Sequence, residues 1–140
     1  MSFIQWKESY RIGYEPIDSQ HKKLILLINQ YDEAVKSGGL PSILRAIIDG
    51  LVEYAKFHFL AEEQLMVKID YAGYDKHRDE HRQLIAEVED FVEKNDEDDP
   101  WDNEELLYFL KEWVINHIEY EDSRIKKAVE KLDKSTAVMV

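Results

Sequence analysis

All five histidines of this 140-residue chain form one spaced set together with two carboxylates. Imidazole and carboxylate are ligands that iron and other first-row transition metals accept. Residues four apart lie one turn apart on the same face of a helix, so such a pair can present both side chains to one point. The set comprises His21, His58 with Glu62, His77 with His81, and His117 with Asp122. This pattern predicts a metal site, and the number of ligands favours two metal ions.

A single histidine on an apolar helix face is more often a core residue than a metal ligand, and each of the five taken alone fits that simpler interpretation. As a set they lie on or beside the inward faces of four predicted helices. Burying so many polar groups without an ion would cost roughly 2 kcal/mol or more for each unpaired group. In an antiparallel bundle, the beginnings of the first and third helices lie at the same end as the late parts of the second and fourth. The candidate ligands occupy these positions, so they can converge.

The hydrophobic pattern has a helical period in four stretches, which predicts an all-α protein with an up-down-up-down four-helix bundle. The first helix is expected to begin near Asp18 or Ser19, either of which could cap it, and to end at Gly38-Gly39. Pro41 suits the first turn of the second helix.

A turn at residues 70–73 should precede the third helix. Asp102 with Glu105 forms a capping-box pattern for the fourth, which should continue to about Leu132. We expect a single domain over residues 1–140. Residues 1–17 should form an N-terminal arm whose aromatic residues pack on the bundle. The bundle itself should span residues 18–132 approximately, and residues from about 133 to 140 should form a frayed tail.

The composition limits the possible partners. The formal net charge is −12, which argues against nucleic acid and anionic lipid because both require clustered lysine and arginine. The absence of cysteine excludes a thiolate metal site and a catalytic thiol. No signal-peptide pattern starts the chain, and the longest apolar run, residues 24–28, is too short for membrane insertion. We expect a cytoplasmic protein, and the acidic surface favours a monomer.

The second carboxylate is ambiguous on spacing alone. Asp122 follows His117 by five residues, which on an ideal helix leaves the two side chains roughly 140° apart. Glu121 has the better ideal-helix spacing. Asp122 could reach the site if the helix widens locally into a π-type turn, a distortion found mainly at functional sites.

The arm contains Trp6, Ile12-Gly13 and IDSQH at 17–21. The helices contain HFLAEE at 58–63 with LM at 65–66, HRDEH at 77–81 and WVINHIEYED at 113–122. With these segments the chain resembles the hemerythrin family, in particular the single-domain bacterial hemerythrins, over most of the sequence. In the family pattern the aspartate comes five residues after its histidine, so the resemblance selects Asp122 over Glu121.

The resemblance implies two non-haem iron ions joined by an oxo or hydroxo bridge. It assigns His77, His81 and His117 to one iron, His21 and His58 to the other, and Glu62 and Asp122 to both as bridging ligands. This ligand count leaves one coordination position open, on the iron held by His21 and His58. A metal with an open position can bind a small ligand.

The resemblance also implies an apolar pocket over that open position. The matching residues are Leu24, Phe59, Trp113, Val114 and Ile118. Simple core packing would explain the same side chains equally well. Val114 departs from the family pattern, in which a larger aliphatic residue is usual. Because none of the five can act as a general acid or base, we expect no catalytic residues and no enzyme activity.

The resulting hypothesis is a protein that binds dioxygen reversibly for storage, transport or delivery, with an oxygen-consuming enzyme as one recipient. The first alternative is a diiron oxidase or peroxidase. Such bundle enzymes usually carry Glu-x-x-His pairs, and no histidine in this chain has a glutamate three residues before it. The second alternative is a metal storage or sensing module, since imidazole also suits zinc, copper and nickel.

Overall fold

The computed structural model is an all-α four-helix bundle, which confirms the predicted fold class. It describes the backbone of residues 3–94 and 103–139, and the side chains in these ranges except those of 94, 103, 120–122 and 132–139. After a short 3-10 turn in the arm (Glu8–Tyr10), the helices are α1 (Glu15–Lys36), α2 (Pro41–Lys68), α3 (Tyr74–Lys94), α4 (Asn103–Asn116) and α5 (Asp122–Met139). A π-helical turn (His117–Glu121) connects α4 to α5.

The packing of the helices follows the bundle arrangement. Helix α1 packs against both α2 and α4, and α2 packs against α3. Because α4, the π turn and α5 follow one another without interruption, they act as the fourth helix of the bundle. Among the described residues, every helix is too short or too polar to span a bilayer.

The start of α1 differs from the sequence prediction. The helix begins at Glu15, with Pro16 in its first turn, and not near Asp18 or Ser19. Asp18 is 1% exposed, and its carboxylate accepts hydrogen bonds from the backbone N–H groups of Ile12 at 2.7 Å and Gly13 at 3.2 Å. The prediction was wrong because Asp18 binds the backbone of the arm from inside the helix and does not cap the helix.

Replacing Asp18 by alanine should therefore loosen the arm. It would leave two backbone N–H groups without their acceptor, at a cost of about 1–3 kcal/mol each if they stay buried. We expect the free energy of unfolding to fall by about 3 kcal/mol, measured by urea denaturation. Asp49→Ala, an exposed change on α2, is the control. Equal stability of the two variants would contradict this role of Asp18.

The described part of the N-terminal arm, from residue 3, packs on the bundle. The backbone N–H of Ile4 donates to the Asn29 side chain at 2.8 Å, and the Asn29 amide donates back to the Ile4 carbonyl at 2.9 Å. Trp6 and Tyr10 contact each other edge to face at 5.6 Å and pack against the main core. The arm thus covers part of the bundle beside α1.

The remaining helix ends agree with the sequence in part. Gly38 has a φ of +72° just past the end of α1, and Pro41 opens α2 as predicted. The capping box at Asp102 and the acidic stretch at 95–100 lie outside the described residues. The backbone of α5 is helical to Met139, and the frayed tail stays a prediction.

The buried apolar residues form two clusters with a polar layer between them. Along α1, Ile17 belongs to the smaller cluster and Leu24 to the larger one, with the buried His21 between them. Along α2, Phe59 and Leu65 belong to different clusters and flank Glu62 in the same way. The bundle therefore encloses the polar side chains with hydrocarbon on both sides.

Candidate metal centre

Five imidazoles and one carboxylate meet in this polar layer. The exposed fractions of these residues are between 0 and 3%, and the residues are His21, His58, Glu62, His77, His81 and His117. They form two overlapping groups in which the possible ligand atoms all lie within 4.8 Å of one another. One group contains His21 and His58, the other contains His77 and His81, and Glu62 and His117 belong to both. The structure thus brings together six of the seven side chains that the sequence analysis named.

The two oxygens of Glu62 face different histidines. Oε1 lies 2.6 Å from Nε2 of His77 and 3.2 Å from Nε2 of His81. Oε2 lies 2.9 Å from Nε2 of His58 and 3.6 Å from Nε2 of His21. A carboxylate with one oxygen directed to each group has the arrangement that a bridge between two metal ions requires.

His117 lies between the two groups. Its Nε2 is 3.4 Å from Oε2 of Glu62, the oxygen that faces His21 and His58. The family resemblance instead assigns His117 to the iron of His77 and His81, and membership of both groups is compatible with that assignment. The histidine is the first residue of the π turn, so the widened turn begins at a candidate ligand.

The side chain of Asp122 lies outside the described side chains, as does that of Glu121. The backbone nevertheless carries the π-type widening that the spacing from His117 called for. In a π turn hydrogen bonds run from residue i to residue i+5, so residues five apart come close to one turn apart. The backbone therefore has the local widening that Asp122 would need to reach the centre.

Two residues that sequence analysis did not single out as functional orient histidines of the centre. The Oε1 atom of Gln20 lies 2.8 Å from Nδ1 of His58, and Oε2 of Glu63 lies 3.2 Å from Nδ1 of His81. Each oxygen can accept a hydrogen bond from Nδ1–H, and the proton on Nδ1 leaves Nε2 of the ring free to bind metal. The signal in the sequence was their position, since each is adjacent to a candidate ligand.

The electrostatics of the site favour the ligand forms of His58 and Glu62. Burial lowers the pKa of His58 to about 4, although Glu62 opposes this shift, so the ring is neutral at pH 7. Burial by itself would raise the pKa of Glu62, but His117 and His58 outweigh it and hold the pKa well below its usual range. Neutral imidazole and ionised carboxylate are the states that metal binding requires.

The residues present therefore fit a pair of metal ions. His58 Nε2 and Glu62 Oε2 are buried atoms that find no well-aligned hydrogen-bond partner among the described residues. A cation between them would satisfy both. The donor set of imidazole nitrogens and carboxylate oxygens suits a borderline metal such as ferrous iron.

The five apolar residues named for the pocket are all buried next to the histidines. Their exposed fractions are 7% or less, and they are Leu24, Phe59, Trp113, Val114 and Ile118. The ring of Phe59 stacks on His81 with centroids 4.0 Å apart and lies 5.4 Å from His117. All five belong to the larger core cluster, so core packing accounts for their burial, and their role as pocket lining stays a prediction.

An open cleft of about 530 Å³ reaches the centre from the surface between α3 and α4. Its lining includes Trp113 and His117 at the inner side and Glu80, Gln83 and Glu87 on α3. The helix pattern did not reveal this cleft, because a gap between two helices depends on how their side chains pack.

A layer of buried imidazoles around a shared carboxylate defines a metal-binding four-helix bundle. Residues 12–129 match the family model described as hemerythrin HHE cation binding domain. The chain therefore belongs to the hemerythrin family.

Several relatives match most of the chain. The bacteriohemerythrin of Clostridium acetobutylicum is 33% identical over 117 residues, which covers 81% of this chain and 91% of the relative. The bacteriohemerythrin of Pseudomonas aeruginosa strain PAO1 is 31% identical, with coverage of 92% and 83%. A crystal structure of wild-type hemerythrin superposes with a TM-score of 0.81 at 26% identity and covers 91% of this chain and 98% of its own.

Proposed function

We propose that this protein binds dioxygen reversibly at two non-haem iron ions. The observation that carries the proposal is the arrangement of five buried imidazoles in two overlapping groups that share Glu62 and His117. When bound, a ferrous pair supplies the electrons and the open coordination position that reversible dioxygen binding uses. The chain supplies the ligands, their orientation and the buried apolar side chains beside them.

The proposed ligand assignment follows the two carboxylate oxygens of Glu62. One iron would be held by His77, His81 and His117, and the other by His21 and His58, with Glu62 and Asp122 bridging. The distances from Oε1 to His77 and His81 and from Oε2 to His58 and His21 support this division. An oxo or hydroxo group would complete the bridge.

The open position would lie on the iron of His21 and His58, beneath the apolar residues of the larger cluster. Leu24 and Val114 are 0% exposed, and Ile118 is 2% exposed. These side chains exclude water and offer no proton to a bound molecule, which favours release of dioxygen over its reduction. We propose binding and not catalysis for this reason.

The proposal extends to the setting in which the protein works. A cytoplasmic monomer that stores dioxygen or delivers it to an oxygen-consuming enzyme would fit the acidic composition and the absence of a membrane-spanning helix among the described residues. Gel filtration with light scattering tests the monomer.

The test is an anaerobic spectrum of the reduced protein together with its iron content. We expect two irons per chain and a visible charge-transfer band that forms with dioxygen and disappears under vacuum. Irreversible oxidation with turnover of peroxide or of a reductant would support the oxidase alternative instead. Zinc in place of iron, with a colourless protein, would support the storage or sensing alternative.

Replacing Val114 by leucine tests the proposed pocket. The added methylene should narrow the space over the open position, so we expect the oxygenated spectrum to decay more slowly. A barrier change of about 1 kcal/mol would slow the decay roughly fivefold. Val52→Leu, on α2 against the same core cluster, is the control for general packing effects. Identical decay in Val114→Leu and the wild type would argue against Val114 as pocket lining.

A further inference from the structure

The two outer contacts on the histidines of the centre differ in charge. His58 faces the neutral amide oxygen of Gln20 at 2.8 Å, whereas His81 faces the carboxylate of Glu63 at 3.2 Å. The two histidines belong to different groups of the centre. The outer surroundings of the two groups are therefore unequal, although both groups share Glu62.

A carboxylate and an amide act differently on the ring that donates to them. An imidazole that donates its N–H to a carboxylate becomes a more basic ligand at its other nitrogen. The negative charge also attracts a metal cation across the ring, whereas an amide contributes a dipole alone. The side chain of Glu63 is 20% exposed, so solvent weakens this attraction in part without removing it.

Neighbouring side chains hold the ring of His81 in the orientation in which it contacts Glu63. Phe59 stacks on it with planes 7° apart, and its opposite nitrogen lies 3.2 Å from Oε1 of Glu62. The two nitrogens of His81 thus face Glu63 on one side and the shared carboxylate on the other. With the ring fixed, the charge of Glu63 acts on the metal-binding nitrogen and is not lost through rotation.

We infer that Glu63 strengthens metal binding on the His77–His81 side of the centre, in addition to the third histidine that the proposed assignment gives that side, so that the His21–His58 side empties first. The inference rests on the proposed two-metal function. Glu63 is a positioning residue in this account, since it acts through His81. It predicts an ordered loss of metal, with a one-metal form in which His77 and His81 remain ligated.

The test uses full-length protein labelled at histidine, loaded with two zinc ions and titrated with a chelator. Zinc is diamagnetic and binds the same imidazole and carboxylate ligands, so the ring signals of each histidine can be followed by NMR. We expect the His21 and His58 rings to lose their metal-bound shifts first. The chelator concentrations for the two steps should differ by at least about tenfold, the lower end of the usual effect of an outer contact.

Glu63→Gln should bring the two steps closer together, since a glutamine still accepts the hydrogen bond but carries no charge. Gln20→Glu should also bring the steps closer together, by strengthening the His58 site. In the double variant Gln20→Glu with Glu63→Gln the separation between the steps should be the smallest. Glu112→Gln, an exposed change on α4 that removes the same charge, should leave the order as in the wild type.

The outcomes separate this inference from the proposed function. Two zinc ions that leave together, or in the opposite order, would overturn the inference while the two-metal centre stands. A separation of the two steps that is unchanged in Glu63→Gln and in Gln20→Glu would overturn the role of Glu63. Failure of the wild-type protein to hold two metal ions of any kind would overturn the proposed function and the inference with it.

Discussion

Replacing Glu62 by glutamine is expected to empty both metal sites at once. Its two oxygens lie 2.6 Å from His77 and 2.9 Å from His58, on opposite sides of the centre. Glutamine has nearly the same shape but lacks the charge and one of the two acceptor oxygens. Altered outer contacts alone cost about ten- to a hundredfold in metal affinity, so the loss of a shared ligand should exceed about a hundredfold.

The measurement is iron per chain after anaerobic loading and desalting, with the melting temperature recorded with and without iron. We expect less than one iron per chain, and a melting temperature that no longer rises when iron is added, because the native state loses its stabilising ligand. Glu112→Gln on the surface of α4 should keep both properties. Two retained irons in Glu62→Gln would mean that the carboxylate is an outer partner of the histidines and not a ligand.

The sequence revealed the histidines of the centre because helical spacing turns directly into a common face. His58 with Glu62 and His77 with His81 follow the four-residue rule, and all four residues are buried in the polar layer. The rule works here because each pair lies on a single helix, so the relative position of its members depends on local geometry alone.

Features that depend on contacts between elements were not visible in the same way. Asp18 is a common helix-capping residue, and the competing use of its carboxylate by the backbone of Ile12 and Gly13 becomes apparent once the arm is folded. The contacts of Gln20 with His58 and of Glu63 with His81 connect different helices. Adjacency to a ligand could have suggested these residues, but the partner of each depends on the packing of the bundle.

The π turn shows how a misfit in a sequence pattern can itself be a prediction. The spacing of His117 and Asp122 did not suit an ideal helix and required a local widening, which the backbone has at His117–Glu121. Such a turn lacks the regular hydrogen bonding of the surrounding helix and is rare elsewhere. Its presence at a candidate ligand is compatible with a functional role for the residue that follows it.

Replacing Asp122 by asparagine should therefore lower the iron content, whereas Glu121→Gln should leave it unchanged. Both variants remove one negative charge at neighbouring positions, so each is the matched control for the other. We expect fewer than two irons per chain in Asp122→Asn and an altered or absent oxygenated spectrum, while Glu121→Gln resembles the wild type. The reverse result would assign the second carboxylate to Glu121, as ideal-helix spacing suggested.

If both variants keep the iron content of the wild type, neither Asp122 nor Glu121 is needed as a ligand. Glu62 would then be the one bridging carboxylate that the centre requires, and the π turn would serve to position His117, the residue with which it begins. His117→Ala should still lose iron in that case, because His117 belongs to both groups of possible ligands. Under the proposed assignment, Asp122→Asn and His117→Ala both lose iron, since the turn then serves the two residues together.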